Sequence, residues 1–178
     1  MIKEFSASPK PTNNNAKIVF WITFAISIIG FAIYFLMERY RGFVGMFALL
    51  TLTTAILFYT KYIAPVFYYD ITFDSENAPI FVVRQLTGKR GTTLCRIDLA
   101  DVMSVVKETK DERRAHKTPQ NMRKYVYSPT LSPEFVYRMT VYGRYEKAEI
   151  ILECNDDFAE LIRNYAAEAK ELRMAEEE

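Results

Sequence analysis

The chain has 178 residues, 50% of them hydrophobic and 25% charged, with a formal net charge of +1. Its mean hydropathy of -0.06 averages two unlike parts: residues 18–64 carry only Glu38, Arg39, Arg41 and Lys61 as charges, and residues 66–178 hold most of the rest. Such a division excludes a purely soluble enzyme and a disordered chain, and two cysteines exclude a disulfide scaffold.

The first 15 residues are polar, with two prolines and an Asn run, and read as a disordered leader. Residues 18–37 form an uncharged run that reaches roughly 30 Å as a helix, the thickness of a bilayer's hydrocarbon core. Residues 43–60 form a second run, which Tyr62, Ile63 and Ala64 extend beyond Lys61 until Pro65 stops it. Only five residues lie between the two, so the chain turns straight back and both ends of the hairpin face one compartment. A cleaved signal peptide fits poorly, because no small-x-small site follows and a second span begins at once. Lys3, Lys10, Lys17 and Lys61 flank the terminal side and Arg39 and Arg41 the turn, which places both termini in the cytoplasm. Trp21, Tyr40, Tyr59 and Tyr62 fall near the ends of the spans, where amphipathic rings anchor. Neither run holds an internal Asp, Glu, Lys, Arg or His, so transport by the hairpin alone is not expected. Ala48, Thr51 and Ala55 are small enough to let another helix approach closely.

From residue 67 the period falls to two. Tyr69, Ile71 and Phe73 alternate with Asp70, Thr72 and Asp74, and strands are predicted over 69–73, 80–86, 92–97 and 102–108. Residues 87–91 are a glycine-flanked turn. A long polar stretch, 109–123, separates these from strands over 124–127, 135–141 and 148–152. In the last, Ala148, Ile150 and Leu152 alternate with Glu149 and Glu153. A closing helix begins at Asp157, which has capping-box spacing to Glu160. Its stripe runs through Phe158, Leu161, Ile162, Tyr165, Ala166, Ala169 and Leu172.

The expected organisation is a disordered tail over 1–16, a two-helix hairpin over 17–65, and a cytoplasmic domain over 66–178. That domain is α+β or mainly β, with about seven antiparallel strands under an amphipathic helix that covers an open end. The strands of 69–152 come as four, a break and three before a closing helix, and the residues that carry the pattern most clearly are 69–73, 81–84, 94–102 and 150–152, the last running into the final helix. In this the domain resembles the pleckstrin-homology fold. With the short hairpin, the chain resembles bacterial membrane proteins that carry a pleckstrin-homology-like domain. The resemblance implies a binding or scaffolding module on a membrane, and the fold alone does not settle what is bound.

No catalytic constellation is found. The single histidine, His116, lies in the polar stretch and reads as a solvated loop residue. Cys95 and Cys154 read as small, half-buried or buried side chains, too few for a thiolate metal site. Residues 88–93 have the wrong order for a phosphate loop, and no helix follows them. Asp98, Asp101, Asp156 and Asp157 sit at turns and helix starts, where caps are wanted. No cofactor, metal or catalytic residue is therefore expected.

The most informative feature is electrical. Residues 84–124 hold eleven Lys and Arg against five Asp and Glu, and residues 146–178 hold eleven acids against four bases. Lys89, Arg90, Arg113, Arg114, Lys117, Arg123 and Lys124 form the candidate binding surface. Each basic group near an anionic leaflet gains roughly 1 kcal/mol, although Glu108, Asp111 and Glu112 interrupt the run. Residues 124–133 join two tyrosines to two prolines beside it, as a partner-facing loop or as packing. Nucleic acid is not an expected partner. The expected function is non-enzymatic: a membrane-anchored module that binds, scaffolds or senses at the cytoplasmic face, through anionic lipid headgroups or a protein. Its rivals are an accessory subunit of a larger membrane complex and an enzyme subunit with a shared active site.

Overall fold

The two apolar runs wind into the longest helices of the hairpin, α1 over Asn15–Leu36 and α2 over Arg41–Phe58, which continues as a π-wound turn over Tyr59–Ile63. In the computed structural model, which describes residues 5–75, 77–143 and 147–177, they pack side by side. Lys3, counted among the flanking charges, lies outside the described residues. Both helices are long and apolar enough to cross a membrane, and only 11% of the most apolar window of each is buried within the protein. Trp21, Ile29, Phe35, Phe43 and Leu50 therefore point outward, unlike the side chains of a soluble core helix.

Small side chains set the helix spacing. A Cβ on Gly30 would stand 2.9 Å from the Ala48 Cβ, and the Ser27 hydroxyl donates to the Ala48 carbonyl at 3.0 Å. Ala48 and Ala55 are fully buried within the hairpin. The small positions read as an approach surface for a further helix thus bring α1 and α2 together.

Pro65 ends the turn and the period-two pattern takes over. β2 (Pro65–Phe73), β3 (Pro79–Thr87) and β4 (Arg90–Asp98) form an antiparallel meander. β1 (Phe5–Ala7) completes the sheet on the outer side of β2, with Phe5 opposite Ile71 and Ala7 opposite Tyr69. The segment read as a disordered leader is thus a sheet edge. It carries on along the domain: the Ser8 hydroxyl donates to the Phe67 carbonyl at 3.2 Å and the Asn13 amide to the Ser132 carbonyl at 3.0 Å.

A 3-10 turn over Leu99–Asp101, closed by the Asp98 carboxylate on the Ala100 amide at 2.9 Å, carries the chain out of this sheet. β5 (Val102–Thr109) joins the second sheet. The four-break-three grouping of the sequence therefore divides differently, because this corner turns the fourth predicted strand away from the third. The second sheet runs β5-β7-β8-β6, with β6 over Arg123–Tyr127, β7 over Phe135–Tyr142 and β8 over Lys147–Leu152. β6 pairs with β8 in parallel, so the expectation of all-antiparallel strands is corrected, and the described strands number eight. The return loop through residues 128–134 reverses the chain between β6 and β7, which lie on opposite sides of β8.

Tyr69, Ile71, Phe81, Val83, Leu99, Met139, Ile150 and Leu152 fill the space between the sheets. Each large apolar side chain so buried contributes roughly 1.5–3 kcal/mol. α4 (Asp156–Glu177) closes the core with Phe158, Ile162, Ala166 and Ala169. Its cap is Asn155, whose Oδ1 accepts from the Phe158 amide at 3.2 Å, two residues ahead of the expected Asp157. Near its other end Arg173 reaches Asp98 at 2.7 Å and Asp101 at 2.8 Å, fastening the helix to the 3-10 corner.

The register gives the domain two poles. Pro65 faces Thr87, and Thr87 faces Arg90, at the hairpin end of the first sheet; Phe73 faces Pro79 and Ile80 faces Asp98 at the far end. In the second sheet Tyr127 and Leu152 lie at the hairpin end, since the loop after them meets Thr12 and Asn13 just ahead of α1.

Candidate functional site

The outer face of β8 carries Glu149, Ile151 and Glu153. Alternation sends all three toward solvent, yet each is at most 4% exposed. The two carboxylates are docking points. Glu149 accepts from the Thr118 hydroxyl at 2.7 Å, lies 2.8 Å from the His116 Nε2, and has an Arg138 guanidinium nitrogen at 4.0 Å. Arg138 in turn holds buried Glu108 at 2.5 Å. His116, read as a solvated loop residue, is thus the clasp by which the polar stretch closes over β8. Burial pushes the Glu149 carboxyl up, but the hydrogen bonds from Thr118 and His116 and the charge of Arg138 outweigh it and hold the group below the usual range.

Glu153 is satisfied without a basic partner in its hydrogen-bond set. It accepts from the Ser128 hydroxyl at 2.7 Å, the Thr130 hydroxyl at 2.6 Å, the Thr130 amide at 3.2 Å and the Thr12 hydroxyl at 3.0 Å. Behind it, the Tyr69 hydroxyl donates to the Tyr127 carbonyl and accepts from the Glu153 amide at 3.3 Å. Burial drives the Tyr69 phenol well above its ordinary range, so it remains a neutral bridge.

α3 (Lys110–Ala115) opens the polar stretch with a capping box: the Thr109 hydroxyl accepts from the Glu112 amide, and the Glu112 carboxylate accepts from the Thr109 amide at 2.8 Å. The helix places Arg113 against the β6–β7 loop, where it donates to the Pro133 carbonyl at 3.3 Å. Between this helix, that loop and the π-wound turn lies a cleft of about 760 Å³. Lys61, Arg113 and Lys124 line it, together with Phe67, Leu94 and Leu131.

Of the seven residues read as a basic surface, the structure therefore brings two, Arg113 and Lys124, to one cavity. They meet Lys61, which the sequence places among the flanking charges only. Lys89 and Arg90 form a separate exposed tip at the hairpin end, beyond Gly88, whose φ of 62° is the left-handed conformation this turn requires. Arg114 turns outward and lies 3.9 Å from Asp111. Lys117 is exposed in the loop, and Arg123 starts β6 opposite Ala148 toward the far end.

A larger cleft, about 1130 Å³, separates the edges β4 and β6, lined by Ile97, Tyr125, Tyr127 and Ile150 with Asp98, Asp101 and Arg173 at its border. These border charges are joined to one another. Cys154 is buried, and burial with the nearby Asp156 charge pushes its thiol up to about 12, leaving almost no thiolate at neutral pH. Among the described residues no group of three or more His, Cys, Asp or Glu is placed to hold a metal ion. Comparison with protein-family models, with curated proteins and with solved structures finds no match for the chain.

Proposed function

We propose that the chain is a membrane-anchored, non-enzymatic binding module, held by two spans with both termini in the cytoplasm and the domain against the inner leaflet. The observation that carries this reading is the convergence of Lys61, Arg113 and Lys124 on one cleft at the base of two outwardly apolar helices. An apolar anchor and a basic cavity at its foot suit a domain that works at an anionic surface. Lys3, Lys10, Lys17 and Lys61 on the terminal side of the hairpin, against Arg39 and Arg41 at its turn, support the orientation.

The domain is read as an elaborated pleckstrin-homology-like fold. Two packed sheets and a closing C-terminal helix support that; the added β1 and the parallel β6 are departures from it. The structural role of His116 and the burial of Cys154, Glu149 and Glu153 favour binding over catalysis.

The test has two parts. A reagent that cannot cross the membrane should label a cysteine introduced at Arg39 in intact cells and leave one introduced near Glu177 untouched; the opposite pattern overturns the orientation. Affinity purification of the full chain from mild detergent should recover a specific lipid or protein that the hairpin without residues 66–178 does not. Identical recoveries overturn the binding role.

A further inference from the structure

Three cations line the cleft at the base of the hairpin, and among the described residues no Asp or Glu lines it. Elsewhere in the domain several basic side chains have carboxylate partners: Arg84 with Asp70 at 2.5 Å, Lys107 with Asp156 at 2.8 Å, Arg138 with Glu108 at 2.5 Å, Arg173 with Asp98 at 2.7 Å. Lys61, Arg113 and Lys124 have no ion pair among the described residues. The carboxylate behind the cleft wall, Glu153, is already occupied by Ser128, Thr130 and Thr12. Like charges gathered without a counter-ion repel one another, and an anion in their midst reverses the sign of that interaction.

Depth selects the anion. Lys61 belongs to the π-wound turn that ends the second apolar helix, and Thr60 and Tyr62 beside it line the same cleft. The Lys61 ammonium lies over the Tyr62 ring, 5.4 Å from its centroid, a position suited to the headgroup layer. Arg113 is oriented by the Pro133 carbonyl and has further N–H donors for a fork-like contact, the geometry that matches a phosphate. Phe67, Leu94 and Leu131 add apolar wall beside the charges, which a glycerol backbone can cover and a small hydrated anion cannot.

We propose that this cleft binds the phosphate headgroup of an anionic phospholipid from the leaflet in which the hairpin ends, with Lys61, Arg113 and Lys124 as its ligands. The proposal rests on the membrane-anchored reading. The lipid is supplied laterally, so it reaches the three cations without leaving the bilayer, and it ties the foot of α2 to α3 and β6.

The full chain is purified in mild detergent, exchanged into mixed phosphatidylcholine and phosphatidylglycerol, and the lipid retained per protein is counted by native mass spectrometry. The wild type should retain phosphatidylglycerol in preference to phosphatidylcholine. The variant K61A/R113A/K124A should lose about a hundredfold of that preference, since each basic group near anionic lipid is worth roughly fivefold. K61Q/K124Q, which leaves the Arg113 bond to Pro133 intact, guards against misfolding of the triple variant and should lose about twentyfold on the same scale. K89A/R90A, at the exposed tip, should keep the preference.

An unchanged preference in K61Q/K124Q overturns the site. An equal loss in K89A/R90A also overturns it, because attraction is then diffuse over the basic pole. Displacement of the lipid by glycerol phosphate at millimolar concentration would assign the cleft to a soluble phosphate and overturn the lipid source. Failure of the anchoring reading is separate: it would show as release of the chain from membranes by alkaline carbonate without detergent.

Discussion

The Thr12 hydroxyl meets the Glu153 carboxylate at 3.0 Å across 141 positions of sequence. One bond thus links the last polar residues ahead of the first long helix to the end of the last strand. The same carboxylate gathers Ser128 and Thr130, so one buried anion fixes the N-terminal segment and the β6–β7 loop together.

Glu153→Ala leaves those donors without an acceptor in a buried position. A loss of about 3 kcal/mol is expected, since hydrogen bonds to a charged group contribute about 1.5–3 kcal/mol and orphaned donors add a desolvation cost. Thr12→Val, which removes one donor and leaves the others satisfied, should cost about 1 kcal/mol. Thermal unfolding of the full chain in detergent, followed by circular dichroism, measures both. Equal losses for the two variants would contradict a shared acceptor.

Acid should loosen the β8 covering through Glu149. Its carboxyl is held below its ordinary value of 4.5 by Thr118, His116 and Arg138, against the upward push of burial. A depressed native pKa gives stability that is complete above the unfolded pKa and is lost as the pH falls through the native one. Unfolding midpoints of the wild type should therefore drop below about pH 4.5 more steeply than those of Glu149→Gln, which is less stable at neutral pH and has lost this titration. Parallel acid limbs would show that Glu149 does not supply it.

The fold was legible wherever burial follows local periodicity. Tyr69, Ile71 and Phe81 in the first sheet, Ile150 and Leu152 in the second, and Phe158, Ile162, Ala166 and Ala169 in α4 are all inward as their spacing predicts, whereas Leu172, read as the end of the same stripe, is exposed beyond the core. β1 was not, because three residues between polar and proline-containing segments carry no period, and their partner lies more than sixty positions away. Nor were Glu149 and Glu153, which alternation sends outward and only the loops over them bury. The parallel pairing of β6 depends on which side of β8 is open. The cleft shows the same limit: Arg113 and Lys124 stood out in a basic run, but their neighbour Lys61 is joined to them by tertiary structure alone.

Gly30 sets the closest approach in the helical pair. A larger side chain there meets the Ala48 Cβ and Cα, not a flexible side-chain end. Gly30→Val should push the helices apart at a cost of about 1–3 kcal/mol. Disulfide crosslinking of cysteine pairs placed across the α1–α2 contact measures it, with lower yield expected for the variant. Ser27→Ala removes only the bond to the Ala48 carbonyl and should cost about 0.6 kcal/mol.

The two cysteines should separate in reactivity. With its thiol raised from 9.0 to about 12, Cys154 presents on the order of a thousandfold less thiolate at pH 8 than an ordinary cysteine. Half-buried Cys95 should therefore alkylate first in the folded chain, and both should react at similar rates in denaturant. Rapid labelling of Cys154 under native conditions would contradict the burial on which this rests.

The pairing of β1 with β2 makes completion of the domain depend on insertion. Phe5 to Ala7 leave the ribosome ahead of β2, and their place opposite Ile71 to Tyr69 exists only after some sixty further residues, both long helices included, have been made. On the anchored reading, a chain whose second helix failed to enter the bilayer would strand these residues and their docking edge on opposite sides of it. The sheet is thus a parity check: it closes over an even number of crossings, and a misinserted chain declares itself by an open edge on β2.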